Sequence, residues 1–201
     1  DDESLVSLFG LGKFSLGKIN LQAGLRYEYF KSNSKNKATN FKSSQKFLNL
    51  FPSLHISYPI NDGNTLNLGY SKRVSRPNFH HINAFQIVNP LYIWRFNPDI
   101  TPELTDNIEL SYQKSAKGFN LGITSFYRHR KNVILWTESS ENDKQVFRYE
   151  NSGAFNSFGI ETSLRYKLTP FLDSRLSGNY YFTKINQSSA VTWDRTYASN
   201  I

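Results

Sequence analysis

The adjacent histidines His80-His81, set between Asn78 and Asn83, come nearest to a metal site in this chain. Two imidazoles share a metal only if their rings converge, and adjacent residues project in different directions. No carboxylate cluster accompanies them and there is no cysteine, so a tetrahedral zinc centre lacks its ligand set. No metal site is expected. Gly10-x-Gly12 has its next glycine at Gly17 and no helix after it, which fails the nucleotide fingerprint. Serine, histidine and acidic residues all occur, but without the spacing of a nucleophile, a base and its orienting group. Glu161 and Arg165 share one face of a strand-like run, where they suggest a ladder of wall charges and not general acid–base catalysis. No catalytic residue or cofactor is expected, and the chain does not read as an enzyme. What remains is binding. Arg76, Asn78, Phe79, His80, His81, Trp94 and Arg95 lie in a long segment, 74–104, between two regular runs. Binding residues concentrate in loops carried by a rigid scaffold, so these are the candidates for ligand contact.

The scaffold announces itself by alternation. In the run 19–28, Ile19, Leu21, Ala23, Leu25 and Tyr27 fall on one face, and Asn20, Gln22, Gly24, Arg26 and Glu28 on the other. Successive strand side chains point to opposite faces, so the segment has one oily wall and one wet wall. Lipid outside and a polar lumen inside require that arrangement. About eight runs follow this grammar: 5–16 (the least clear), 19–28, 47–58, 65–73, 105–113, 119–133, 157–168 and 172–182. Pro52 interrupts the third and predicts a bulge or strand end, because proline cannot donate to the ladder. Most runs suit a tilted membrane-spanning strand of roughly 9–11 residues better than a soluble strand of about five or six.

Tyrosines mark both rims: Tyr58, Tyr112 and Tyr166 beside short turns, and Tyr27, Tyr29, Tyr70, Tyr127 and Tyr180 toward long connections. Two aromatic belts are expected where amphipathic rings meet the two membrane interfaces. Connections alternate as well. Those near 17–18, 61–64, 114–118 and 169–171 are short; 31–46, 74–104, 135–156 and a segment beginning near Lys184 are long. Short periplasmic turns and long extracellular loops characterise outer-membrane barrels. The first connection is short, so the N-terminus would lie outside the cell, and the end falls in what reads as a loop. The expectation is therefore an open, curved piece of a larger barrel, with an inner wall thinned by Gly24, Gly69, Gly122 and Gly159.

Composition fits this class. Only 38% of the 201 residues are hydrophobic and mean hydropathy is −0.53, yet aromatics reach 15%. Half of each strand facing lipid and polar loops reconcile the two. No run approaches the roughly 18 apolar residues a transmembrane helix needs. A net charge of +8 and a pI near 9.6 invite a nucleic-acid reading. Many lysines, however, sit in the loop-like segment 31–46, rich in Ser and Asn, so no nucleic-acid partner is expected. Attraction to lipid head groups and lipopolysaccharide is the alternative use of that charge.

The segment 71–112 reads SKRVSRPNFHHINAFQIVNPLYIWRFNPDITPELTDNIELSY. Its succession of Ser71-Lys72-Arg73, Arg76-Pro77, Asn83-Ala84-Phe85, Asn97-Pro98 and Thr101-Pro102-Glu103 resembles the outer-membrane β-barrel family of TonB-dependent receptors. Phe51-Pro52-Ser53-Leu54, Tyr127-Arg128, Tyr149-Glu150-Asn151 and Gly159-Ile160-Glu161 are similar to flanking parts of that pattern. The resemblance covers about Leu25 to Tyr180. It departs at Phe96, where a glycine usually precedes Asn-Pro, and at Ala84, where proline is common.

The resemblance implies an all-β, antiparallel up-and-down transmembrane barrel of ~22 strands with a plugged lumen. It implies a Gram-negative outer-membrane location and import of a small molecule or bulky metal chelate. Energy would come from the TonB system through a plug domain; residues 1–201 read as barrel wall without one. A passive pore or surface scaffold on a similar barrel is the runner-up, and a soluble carbohydrate-binding β-sandwich the third reading.

Overall fold

The computed structural model describes residues 2–35, 42–82, 86–95, 97–169, 171–187 and 190–200, the side chains at 34, 35, 42, 43, 79, 80, 187 and 190–200 excepted. β1 (Asp2–Leu16), β2 (Ile19–Lys35), β3 (Lys42–Asn61) and β4 (Asn64–Ser75) form two successive hairpins. A helical turn, α1 (Phe79–Ile82), and two short strands, β5 (Gln86–Val88) and β6 (Tyr92–Arg95), occupy the next connection. β7 (Glu103–Ala116) and β8 (Phe119–Lys131) return to the wall, and β9 (Ile134–Glu141) and β10 (Lys144–Asn151) stand beyond it as a hairpin. β11 (Ala154–Thr169), β12 (Leu172–Gln187) and β13 (Ala190–Asn200) complete the chain.

The wall is one nine-stranded sheet in the order β1-β2-β3-β4-β7-β8-β11-β12-β13, with antiparallel pairing throughout. β1 and β13 are its opposite edges, so the described sheet is open. Paired residues share a face, and the alternation carries from strand to strand. Phe14, Leu21, Ile56, Leu68, Leu110, Ser125, Ile160 and Tyr180 make one row across eight strands. Many apolar side chains of this outer face, among them Phe14, Leu68, Leu110 and Ile160, stay exposed, as a lipid-facing wall requires, and Leu21 and Ile56 are half-buried by their neighbours. The next row down alternates faces: Asn20, Ser57, Asn67, Ser111, Thr124, Glu161 and Asn179 lie inside. β1 was hard to read because both its faces are apolar. Val6, Leu8, Phe14 and Leu16 share the outer face, while Leu5, Phe9 and Leu11 share the inner one.

Several expectations need correction. The segment after Lys184 is not a loop: β12 continues to Gln187 and β13 pairs back along it. The runs also extend past their periodic cores, because ladder hydrogen bonding continues where the side-chain pattern has already turned polar. β2 and β3 stay paired up to Lys35↔Lys42, so much of 31–46 is hairpin arm. Pro52 does not bend or end β3, which pairs with β2 straight through Leu25↔Pro52. What stops beside it is the β3–β4 ladder, whose last pair is Ser53↔Ser71, and the register shift lies at Pro59/Asn61 instead. Glu161 and Arg165 do not form a ladder with each other. Glu161 lies 3.5 Å from Arg128 Nη2, and Arg165 Nε donates to both Asp173 oxygens at 3.0 Å.

Close approach explains one of the inner-wall glycines, Gly159. Gly159 sits in a row between Phe126 and Tyr181, whose rings tilt over it with centroids 6.5 Å apart. A Cβ there would meet the Tyr180 carbonyl oxygen and Tyr181 Cβ at 2.5 Å and the Phe126 ring at 2.9 Å. Backbone cannot swing aside as a flexible side-chain tip can. Gly159→Val is therefore expected to destabilise the barrel by about 1 to 3 kcal/mol. A refolding titration in lipid vesicles that matches wild type would remove close approach as the reason for this glycine.

Candidate functional site

Two long connections rise from the same rim of the wall and combine into a second sheet, ordered β5-β6-β10-β9. β9 and β10 turn at Asn142-Asp143, both with left-handed backbone (φ 50° and 60°), as a two-residue type I′ hairpin requires. β6 pairs with β10 in parallel, Tyr92↔Gln145 through Arg95↔Arg148, and this pairing joins one connection to the other. One face of the loop sheet is aromatic. Trp136 lies 5.5 Å from Trp94, 4.7 Å from Tyr149 and 5.7 Å, stacked, from Phe147 (ring centroids). Tyr92 extends the cluster toward Trp94 and Phe147, and His81 packs at 4.6 Å on Tyr149. Trp94 and Trp136 remain 41% and 42% exposed, so the platform is open, whereas Val146 on the opposite face is buried.

A set of latches fixes this sheet to the wall. Arg76 forms an ion pair with Glu28, a carboxylate almost fully buried on the inner face of β2. Arg26 Nε reaches the other Glu28 oxygen at 3.2 Å, and the Arg76 guanidinium lies 5.1 Å from the Phe30 ring centroid. Gln45 Nε2 donates to the carbonyls of Pro98 (2.8 Å) and Ile100 (3.1 Å), and Ile100 is wholly buried. Asn151 holds both connections together. Its Oδ1 accepts from the Thr101 backbone N–H at 2.7 Å, and its Nδ2 donates to the carbonyls of Thr101 (2.9 Å) and Asn132 (2.7 Å). Glu103 Oε1 accepts the Ile134 N–H at 2.8 Å. The Gln45, Asn151 and Glu103 latches satisfy loop backbone that would otherwise lack a protein partner, whereas Arg76–Glu28 joins side chains.

The candidates named from sequence thus separate into two kinds. Trp94 belongs to the aromatic platform, with His81 at its margin. Arg76 is committed to Glu28 and Phe30, and Arg95 pairs with Glu141 at 3.1 Å. Asn78 caps α1: its Oδ1 accepts the His81 N–H at 3.1 Å, and its own N–H donates to His81 Nδ1 at 3.3 Å. Phe79 and His80 lie in the backbone of α1, and their side chains fall outside the described residues. Asn83, Ala84, Phe85 and Phe96 are also outside them. No group of three His, Cys, Asp or Glu side chains converges as a metal site among the described residues. Sequence reasoning passed over Tyr92, Trp136, Phe147 and Tyr149. Two alternating runs around Asn142-Asp143 carried the signal for the β9–β10 hairpin.

The profile of the Outer membrane protein beta-barrel family matches residues 2–200. The chain belongs to that family. It is accordingly a protein of the Gram-negative outer membrane, and its open sheet matches part of the barrel of TonB-dependent receptors. The copper transporter OprC superposes with a TM-score of 0.69 at 15% identity, over 90% of this chain and 29% of that one. The FrpB iron transporter from Neisseria meningitidis (F5-1 variant) gives 0.67 at 16%, over 92% and 27%. A ferric enterobactin receptor mutant (PfeA) from Pseudomonas aeruginosa, in complex with enterobactin, gives 0.64 at 22%, over 92% and 27%. This family member thus spans about a quarter of the length of these three structures. All three are transporters or receptors by name, not enzymes. Among curated proteins, none matches the sequence closely.

Proposed function

We propose that this chain is a stretch of barrel wall, with its extracellular loops, from a receptor that imports a bulky metal chelate. In this reading a plug domain couples the barrel to the TonB system, and the aromatic loop sheet makes first contact with the cargo. The observation that carries the reading is the platform of Trp94, Trp136, Tyr92, Phe147 and Tyr149, held open at the loop rim. Aromatic faces give large contact area at low conformational cost, and rings already ordered by one another bind with little further ordering. The latches supply that order: Asn151, Gln45 and Glu28 fix the loops before any ligand arrives. Similarity of the wall to iron, copper and enterobactin transport proteins supports chelated metal as the cargo class.

Trp94→Ala with Trp136→Ala in the intact protein is expected to weaken chelate binding about tenfold or more, as truncated aromatic anchors do. Binding and uptake would be read with ferric catecholate, ferric hydroxamate and haem. Unchanged affinity for every chelate bound by wild type would remove the platform from the site. Uptake that persists without TonB or a proton gradient would favour a passive pore on the same barrel.

A further inference from the structure

The loop sheet sorts its charges by face. Ladder pairing carries Ile87, Trp94, Phe147 and Glu138 in one row across β5, β6, β10 and β9. Paired residues share a face, so Glu138 stands on the aromatic face, two residues along β9 from Trp136. The basic residues of the sheet, Arg95, Lys144 and Arg148, all alternate to the reverse face with buried Val146. There Arg95 pairs with Glu141 at 3.1 Å, Arg148 pairs with Glu150, and Lys144 lies opposite Glu141 in the ladder.

Glu138 differs from those two glutamates. It is exposed, and among the described residues no hydrogen bond or ion pair engages its carboxylate. It is a free negative charge on the same face as the exposed Trp94 and Trp136 rings. No lysine or arginine of the sheet shares that face, and His81 meets it only at the Tyr149 margin. Aromatic ring faces are themselves negative through their quadrupole, tryptophan most strongly. Both sources of potential on the platform therefore have the same sign.

We propose that the platform selects cargo presenting an ammonium or another organic cation, and discriminates against polyanionic chelates. This rests on the reading of the platform as the cargo site and adds the charge of the group it takes. A cation over a tryptophan face gains from the ring quadrupole, and a carboxylate on the same strand adds Coulomb attraction. A ferric tris-catecholate is polyanionic; Glu138 repels it, and no basic side chain of the sheet on this face balances its charge. A ferric trihydroxamate is neutral at its metal centre, so one ammonium on its chain sets the net charge. The chemistry of this face fits a hydroxamate-type chelate with a free amine.

The test is calorimetric titration of the intact protein in detergent with two ferric trihydroxamates that differ in charge alone. One is a linear chelate with a terminal ammonium (ferrioxamine B), the other its N-acetylated form. The ammonium form should bind about tenfold more tightly, an advantage that shrinks to about threefold in Glu138→Gln and inverts in Glu138→Lys. Added salt should erode the wild-type preference. A ferric tris-catecholate should bind wild type more weakly than the neutral trihydroxamate and gain affinity in Glu138→Lys. Equal affinity for the two trihydroxamates, an unchanged preference in Glu138→Gln, or tightest binding of the tris-catecholate would overturn the proposal and leave the chelate reading standing. If Glu138→Gln does not assemble, salt decides: a preference that fades supports the proposal, and one indifferent to salt rejects it. Binding of none of the three would also overturn it, and uptake of haem by the same protein would then keep the chelate reading.

Discussion

Glu28→Ala is expected to unfasten the 76–102 connection from the wall while leaving the outer face intact. Glu28 keeps only 6% of its side chain exposed, and it answers two arginines at once. Removing it leaves Arg76 positive in a partly dry site, with an Nε already buried and unpaired. Breaking a buried pair from one side costs roughly 3 to 5 kcal/mol. About 3 kcal/mol is expected here, near the low end of that range, because Arg76 retains 27% exposure and water can reach it. Hydrogen exchange of the intact protein should show faster exchange across 76–102 and unchanged protection in the β7–β8 ladder. Joint Glu28→Leu and Arg76→Leu should recover much of the loss, since an apolar pair leaves no stranded charge. Uniform protection in Glu28→Ala would mean that Gln45 and Asn151 hold the loop without this latch.

A second large effect is expected on the lipid side. Leu21 and Leu110 lie in one outward row with Ile56 and Leu68; Leu21 stands between Phe14 and Ile56, and Leu110 between Leu68 and Ser125. An arginine there must enter hydrocarbon or distort the bilayer around it. Leu21→Arg and Leu110→Arg should each weaken assembly by roughly 2 to 4 kcal/mol if their row lies near the membrane midplane. Gln22→Arg and Ser111→Arg, one residue away and facing inward, should be far milder. Ser111 shares its inner row with Glu161, a carboxylate suited to receive the new charge. Refolding titrations into lipid vesicles rank the four variants directly. Equal losses in both pairs would reject the assignment of faces.

The reach of the sequence has a physical explanation at each point. A strand with one oily and one wet face reports its orientation in every second residue, so the wall, its faces and its aromatic belts were legible without coordinates. β1 resisted because Leu5, Phe9 and Leu11 make its inner face as apolar as its outer one, and period-two contrast vanishes. The extended arms of β2 and β3 and the end of β12 were missed for a related reason. Beyond the membrane both faces are polar, and only backbone pairing continues.

The candidate site was legible in part. Arg76, Trp94 and the His81 neighbourhood stood out as loop residues able to bind, and the motif residues Thr101, Glu103 and Asn151 stood out as a pattern without a task. Tertiary structure gave them one. Asn151 meets Thr101 across 50 positions of chain, and Arg76 meets Glu28 across 48. No local spacing encodes such pairs. The same holds for the parallel β6–β10 ladder that gathers Trp94, Phe147 and Trp136 on one face. Local chemistry determined that this protein is a membrane wall with polar loops. Long-range pairing alone decided that two loops become one ordered aromatic surface, because antiparallel strands carry their register across the sheet while loops acquire theirs only from the partners they meet.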